Sequence, residues 1–248
     1  MCSLIVTSMT TIVIDLLQLY QNKFYRLISI IIPTYNEQEN IVSLLQTLTT
    51  RIGKQIEVIV VDGGSSDETV LRVADFDQVK LITSEKGRAV QMNRGAQVST
   101  HEVLFFVHAD CKLPEYWYAS ISTAIKNGKY IAGSFYLKLD KSGFWYGLYS
   151  RLSKIQHPLF TYGDQGLFVS KNAFEKIGGY PALPIMEDYE MMVRLKKEGQ
   201  VVKLSTPMTA SARKFSKNGV VWQQLKNVMI VLCYSVGVSP ARLARWYA

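Results

Sequence analysis

The sequence predicts an α/β protein with one principal domain, a mostly parallel sheet carrying helices on its faces. Three observations predict it. Four short apolar runs rich in β-branched residues fill the first half: LISIII at 27–32, IEVIVV at 56–61, VKLIT at 79–83 and VLFFV at 103–107. They are nearly continuous rather than alternating, as in strands covered on both faces. Helical patterns separate them, and a β-α-β-α-β-α-β order argues for parallel strands with right-handed crossovers.

Taken in order, Pro33 stops the first strand. Residues 39–51 then place Ile41, Leu44, Leu45 and Leu48 on one helical face. A short helix is expected over 69–74, and one over 88–98 with Ala89, Met92 and Ala96 facing inward. The second half is less regular. Strands are expected at 132–139, 166–170 and 201–204. A helix over 171–177 is ended by Gly178-Gly179, and one over 187–198 turns Met191, Met192 and Leu195 inward. No internal repeat, low-complexity tract or separating linker is visible. The expected division is an N-terminal extension at 1–26, a catalytic domain at 27–210 and a C-terminal helical segment at 211–248.

A chain of 248 residues, 48% apolar and 19% charged, is long enough for a sizeable core and wrong for a disordered protein. Lys and Arg number 28 against 20 Asp and Glu, a net charge of +8. That excess suits phosphorylated ligands or an anionic membrane surface, and equally a merely solvated basic surface. Cys2, Cys111 and Cys233 are far apart and form no CxxC, so neither a disulfide framework nor a zinc site is expected. Cys111 reads as a small packed side chain. Residues 1–26 hold no apolar run of the ~18 residues a spanning helix needs, and no positive residue precedes Lys23, so a secretory signal is not expected.

In an open α/β sheet, ligands bind beyond the carboxyl ends of the strands. Four strand ends here carry polar residues: Thr34-Tyr35-Asn36-Glu37, Asp62, Ser84-Glu85-Lys86 and His108-Ala109-Asp110. Asp62, leading into Gly63-Gly64, could accept a ligand N–H such as a base edge, or simply organise the glycine turn. Ser65-x-x-Glu68 reads as a capping box, and Thr34-x-x-Glu37 as a second. GRAVQMNRG at 87–95 is neither a dinucleotide fingerprint nor a P-loop, but it sets Arg88 at a helix N-terminus, where a phosphate is favoured. His108-x-Asp110 has the residue types for a divalent ion. Glu187, Asp188 and Glu190 open a late helix, where the bland account is compensation of the helix dipole.

As an ordered set these motifs carry a resemblance. IIPTYNEQENI, VIVVDGGSSDET, GRAVQMNRGA, FFVHADCKLP and GGYPALPIMEDYEMMVRLKKEG resemble the family-2 glycosyltransferases from about Leu27 to Leu204. GRAVQMNRGA, VHAD, YGDQGLFV and GVSPARLARWYA look like a bacterial subgroup associated with radical-SAM selenodomain or arsenosugar gene clusters. The resemblance implies a GT-A fold, a nucleotide-sugar donor, a hydroxyl acceptor (sugar, lipid or small molecule), Mg²⁺ or Mn²⁺, and inversion at the anomeric carbon. Nucleic acid is not an expected partner. By the same resemblance, Pro33, Thr34, Tyr35, Glu37 and Asp62 surround the nucleoside, and Arg88 lies toward the diphosphate. Asp110 matches the last aspartate of the family's DxD and is the expected metal ligand. Asp188 matches the catalytic base of its ED motif. Glu187, Asp164 and Gln165 border the sugar or acceptor. The first aspartate of DxD is His108 here, which suits Mn²⁺ better than Mg²⁺ as a ligand and could instead contact the ribose or donor. Arg213 and Lys214 could add diphosphate charge.

Two other classes remain open on the residues alone. A nucleotidyltransferase shares much of this architecture, but IIPTYNE lacks that class's glycine-rich phosphate loop. A non-catalytic nucleotide-sugar binder would not need Asp62, Asp110 and Asp188 together. Residues 220–238 place Val221, Leu225, Val228, Met229, Leu232 and Val236 at helical spacing, with Lys214, Lys217, Lys226, Arg242 and Arg245 around them. Such a helix either packs on the domain or a partner subunit, or lies on an anionic membrane leaflet. The expected location is cytoplasmic, with peripheral contact at the inner face of the membrane.

Overall fold

The computed structural model describes residues 27–50, 55–126, 128–158, 163–211 and 219–247. The N-terminal extension and Arg213, Lys214 and Lys217 lie outside the described residues. Eight strands form one sheet in the order β3-β2-β1-β4-β7-β6-β8-β5. They are β1 (Ile28–Thr34), β2 (Ile56–Asp62), β3 (Val79–Thr83), β4 (Val103–Phe106), β5 (Cys111–Lys112), β6 (Ala132–Leu139), β7 (Leu167–Ser170) and β8 (Val201–Ala210). Among the described residues nine helices accompany them: α1 (Ile41–Thr49), α2 (Thr69–Ala74), α3 (Arg88–Val98), α4 (Trp117–Ile125), α5 (Phe144–Leu152), α6 (Lys171–Lys176), α7 (Glu187–Glu198), α8 (Val220–Ser235) and α9 (Pro240–Tyr247). A 3-10 turn, Gly163–Gln165, precedes β7.

Burial explains the continuous apolar runs. Every residue of β1 is buried, and β1 pairs in parallel with β2 on one side and β4 on the other. Side chains alternate between faces along a strand. Ile30 and Ile32 therefore meet Ile41, Leu45 and Leu48 of α1 on one face, while Ile31 joins Ala89, Met92 and Ala96 of α3 and Met191 and Leu195 of α7 on the other. The mostly parallel sheet gains antiparallel pairs at β4–β7, β7–β6 and β8–β5.

Parallel pairing has one functional consequence. β1, β2 and β4 run the same way, so Thr34, Asp62 and the His108–Asp110 turn emerge at the same rim. Thr34 sits in register with Asp62. Asp62 and Asp110 thus follow the two strands that flank β1.

Several details differ from the sequence reading. β8 does not stop at Leu204 but continues through Pro207 to Ala210, pairing with β6 across a register shift between Ser134 and Tyr136. A proline is tolerated in a strand beside such an irregularity. α4, α5 and the two-residue β5 were not expected, and the C-terminal helical segment divides into α8 and α9. Ser65-x-x-Glu68 is not a capping box: the Ser65 hydroxyl donates to Asp62, and Glu68 pairs with Arg72 at 2.8 Å. Asp67 caps that turn instead, accepting from the Thr69 N–H at 3.0 Å. Nor is Thr34-x-x-Glu37 one, because Thr34 also donates toward Asp62 and the Glu37 carboxylate accepts from Asn40.

α3 approaches the sheet closely at Gly95. A Cβ there would sit 2.4 Å from Ile31 Cγ2 and 3.1 Å from Val61 Cγ2. Gly95→Ala is expected to lose about 1–3 kcal/mol of stability through overpacking, measured by urea denaturation. An unchanged midpoint would show that α3 can shift outward at no cost.

Candidate active site

The rim holds two corners joined by α3. The first lies at the ends of β1 and β2. Asp62 is buried, and its carboxylate is surrounded by protein donors. Oδ2 accepts the Gly64 and Ser65 backbone N–H groups at 2.9 and 2.8 Å, and Oδ1 accepts the Thr34 and Ser65 hydroxyls at 3.2 and 2.5 Å. In this state Asp62 organises the glycine turn. Asn36, in the left-handed region at φ 55, receives the Ser66 N–H on its side chain at 2.9 Å while its own N–H donates to Ser65 at 2.9 Å. Those bonds staple the loop after β1 to the loop after β2. Pro33 is buried in β1, and the Glu37 N–H donates to Thr69 at 2.8 Å. Tyr35 stays exposed, with Lys86 Nζ 3.7 Å from its ring centroid, a cation–π contact.

The second corner is acidic. Glu187 and Asp188 begin α7, and Arg88 begins α3 across from them. Arg88 Nη2 meets Glu187 Oε1 at 2.5 Å, and Glu187 is almost fully buried. The Arg88 side chain remains 46% exposed, so part of the guanidinium still faces the rim. Burial disfavours its charge, but the carboxylates of Asp188, Glu187 and Asp164 outweigh this and raise its pKa. Glu187 Oε2 is buried with no hydrogen-bond partner. Asp188 is pushed up to about 7, first by burial and then by the neighbouring Glu187 charge. Arg88 and the Gly163 backbone N–H pull against that rise. The Tyr180 phenol is held well above its usual range by burial and by the same two carboxylates, so it stays neutral.

Gly163 explains how the pieces meet. A Cβ on it would lie 2.6 Å from both Asp188 Oδ2 and His108 Nε2. Only a residue without a side chain lets the Gly163–Gln165 turn bring the end of β4 and the start of α7 to one point. Cys111 packs there too, its Sγ 3.5 Å from the Asp164 carbonyl and 3.9 Å from Asp110 Oδ1. Gln165 is fully buried and accepts from Lys203, whose ammonium also donates to Ser134 at 2.7 Å. Burial pushes the Lys203 amine down to about 7, with Lys196 adding to the effect.

The structure therefore gathers Arg88, His108, Asp164, Glu187 and Asp188 around one turn, with Asp110 beside it. It sets Pro33, Thr34, Tyr35, Glu37 and Asp62 in the other corner. The residues that hold the two corners together were missed. Gln91 donates from one amide to the carbonyls of Thr34 at 2.7 Å and Val61 at 2.8 Å. Asn93 clamps the Tyr180 backbone from both sides, at 2.8 and 2.9 Å. Both lie in GRAVQMNRG, and their spacing, facing opposite neighbours, was the available signal. Met186 was missed as well. It adopts φ 73 just before α7, a conformation that costs a non-glycine residue about 1–3 kcal/mol. Its side chain is fixed among Ile230 and Val231 of α8 and Leu243 of α9.

Such a sheet, parallel in its first half and mixed in its second, is a GT-A glycosyltransferase fold. The mannosyltransferase PcManGT from Pyrobaculum calidifontis, solved with GDP-Man and Mn²⁺, superposes with a TM-score of 0.64 at 18% identity, covering 90% of this chain and 69% of that one. Glucosyl-3-phosphoglycerate synthase from Mycobacterium tuberculosis, solved with Mn²⁺, UDP and glucosyl-3-phosphoglycerate, does so with 0.61 at 15%, covering 86% and 81%. The family model described as Glycosyl transferase family 2 matches residues 29–179, more than half of the chain, and the chain belongs to that family. Among its relatives, a dolichol-phosphate mannosyltransferase of Pyrococcus furiosus is 36% identical over 125 residues, 48% of this chain and 36% of that protein. An uncharacterized glycosyltransferase of Haemophilus influenzae is 28% identical over 197 residues, 74% of this chain and 67% of that protein. The chain thus spans only about a third of the Pyrococcus relative's length.

The raised pKa of Asp188 sets a pH dependence. A carboxyl that holds its proton more tightly folded than unfolded stabilises the fold below its ordinary pKa near 4. That contribution is lost as pH rises through about 7. Asp188→Asn is therefore expected to be more stable than wild type at pH 8, on the order of 1–2 kcal/mol given partial solvent contact. The difference should vanish near pH 4. Urea midpoints at the two pH values test this, and an equal difference at both would show that Asp188 titrates normally.

Proposed function

We propose that the protein transfers a sugar, a hexose on the family pattern, from a nucleotide-diphosphate donor to an acceptor hydroxyl with inversion, using Asp188 as general base. The observation that carries this reading is the carboxylate of Asp188, poised near neutrality beside Arg88 on the rim where the strands end. A base whose pKa lies near the working pH both accepts and releases a proton readily, and a positioned one contributes on the order of 10²–10⁴ in rate. Glu187 holds Arg88, and its unpaired oxygen is a fitting acceptor for a sugar or acceptor hydroxyl. Asp164 and Gln165 border the same space, the latter set in place by Lys203.

The nucleoside belongs in the first corner, its base stacked near Tyr35 and Lys86. A base N–H can reach Asp62 by taking the place of the Thr34 or Ser65 hydroxyl, the two donors there that can rotate away. Arg88 keeps donors for the diphosphate.

The residues present fit a divalent ion that is completed by its substrate. No group of three or more His, Cys, Asp or Glu among the described residues is arranged to hold a metal alone. Asp110 offers one carboxylate on the rim, which suits Mg²⁺ or Mn²⁺ taking further ligands from phosphates and water. When bound, such an ion would neutralise charge on the departing diphosphate. His108 Nε2 faces the Gly163 backbone beside Asp188, which favours its role as a contact to donor or acceptor over metal ligation. Membership of the radical-SAM and arsenosugar-associated subgroup, and a cytoplasmic location with contact at the inner face of a membrane, belong to the same proposal.

Asp188→Asn is expected to bind UDP- or GDP-sugars normally and to lose transfer by about 10²–10⁴, read by calorimetry and by nucleotide release. Turnover within a few-fold of wild type would move the base elsewhere. Asp110→Ala is expected to abolish the gain in nucleotide affinity that Mn²⁺ brings. If affinity is the same with EDTA, with Mn²⁺ and in the variant, charge is handled by side chains alone.

A further inference from the structure

The apolar face expected on the C-terminal helix exists, but it does not pack on the domain. α8 turns Gln223, Ile230 and Val231 inward and leaves Trp222, Leu225, Val228, Met229 and Leu232 exposed, with Val236 exposed just beyond its end. Its neighbour α5 does the same, burying Tyr149 while Phe144, Trp145, Leu148 and Leu152 face out. The two helices touch, so their outward faces adjoin. The chain has four tryptophans. Trp117 is buried in the core at 1% exposure, whereas Trp145, Trp222 and Trp246 are 51%, 68% and 55% exposed on α5, α8 and α9.

Charge identifies the occupant. Residues 141–163, which include α5, carry three Lys or Arg and no Asp or Glu. Residues 219–247, which include α8 and α9, carry another three, Lys226, Arg242 and Arg245, and again no Asp or Glu. All 20 acidic residues of the chain lie elsewhere. A second copy meeting this surface would set like charges against each other. An anionic bilayer offers both an apolar layer for the side chains and negative headgroups for the cations, and tryptophan favours that boundary. No helix among the described residues is long and apolar enough to cross a membrane, so the fit is to a surface lying in the plane of the leaflet.

We propose that α5, α8 and α9 together form a docking surface for an anionic membrane leaflet. Its place relative to the chemistry follows from the packing. Tyr234 of α8 donates to Glu190 at 3.2 Å and stacks edge-on with Tyr189, while Ile230 and Val231 hold Met186 next to Glu187 and Asp188. Docking would bring the start of α7 to headgroup level, where an acceptor anchored in the leaflet presents its hydroxyl. This extends the peripheral contact proposed above and stands apart from the transfer chemistry.

The test is flotation of the full chain with vesicles of phosphatidylcholine alone and of phosphatidylcholine mixed with phosphatidylglycerol, at low and high salt. Binding to the mixed vesicles at low salt is expected, weakened by salt and by omission of the anionic lipid. Trp145→Glu on α5, and Leu225→Glu with Met229→Glu on α8, should each weaken it by roughly tenfold or more. Nucleotide binding in solution should be unchanged in both variants, which separates a failure of docking from a failure of the transferase reading. Absence of flotation at low salt would overturn the proposal. So would variants that bind as wild type, or a wild-type dimer in light scattering that either variant dissociates, since the face would then belong to a second copy.

Discussion

At the start of α7 one carboxylate, Glu187, is taken out of water and the next, Asp188, is drawn partly out of it, and much of the molecule is arranged around that fact. A buried charge costs several kcal/mol unless it is paired and hydrogen-bonded. Glu187 has Arg88 at 2.5 Å on one oxygen and nothing on the other. Asp188 has the Gly163 N–H, the more distant Arg88, and its own proton near neutral pH. The helix N-terminus contributes about 0.3–1 kcal/mol toward each charge, too little to carry both. Arg88 is therefore required from another element, and α3 has to be held where Arg88 can reach. That explains the closeness of α3 to the sheet at Gly95, the tether of Gln91 to β1 and β2, and the grip of Asn93 on Tyr180.

The same constraint accounts for the strain at Met186. Turning the chain into α7 with both carboxylates facing the rim puts a non-glycine residue at φ 73. Burying its side chain against Ile230, Val231 and Leu243 offsets this, since a fully buried residue of that size gains about 1.5–3 kcal/mol. The C-terminal helices are thus part of the support for α7. Removing them would free Met186 to relax and would loosen the geometry of Glu187 and Asp188 without touching either residue.

The strands were legible because their signal is local. An apolar run such as LISIII is buried wherever it lies, and its periodicity and its Pro33 stop need no knowledge of neighbours. The rim position of Asp62, His108 and Asp110, and of Arg88 just beyond β3, was legible because parallel strands deliver their carboxyl ends to one side, whereas Asp188 was expected there only through the family resemblance. What could not be read was contact between distant residues. Gln91 looks like a polar helix residue until β1 and β2 are set beneath it. Gly163 looks like an ordinary turn glycine until Asp188 and His108 are set against it. The capping-box readings failed for a related reason, since Asp62 offered the hydroxyls of Ser65 and Thr34 a stronger, charged acceptor. β8 ran past its expected end because an irregular register gave Pro207 a place.

The reading of α8 shows the limit of periodicity most clearly. Helical spacing found the apolar stripe but could not say what covers it, because an amphipathic pattern is the same whether the stripe meets a core or a membrane. The structure assigns the inward side to the narrower stripe of Ile230 and Val231 and leaves the wide one outside. Charge then divides the molecule. Acidic side chains are spread over the sheet and its helices, including the start of α7, whereas the segments carrying the exposed aromatics have only cations. A site whose own carboxylates would repel an anionic surface is thereby kept beside, and not on, the face that such a surface would attract. The two needs are met because α8 spans them, one side held to Met186 and Glu190 and the other open.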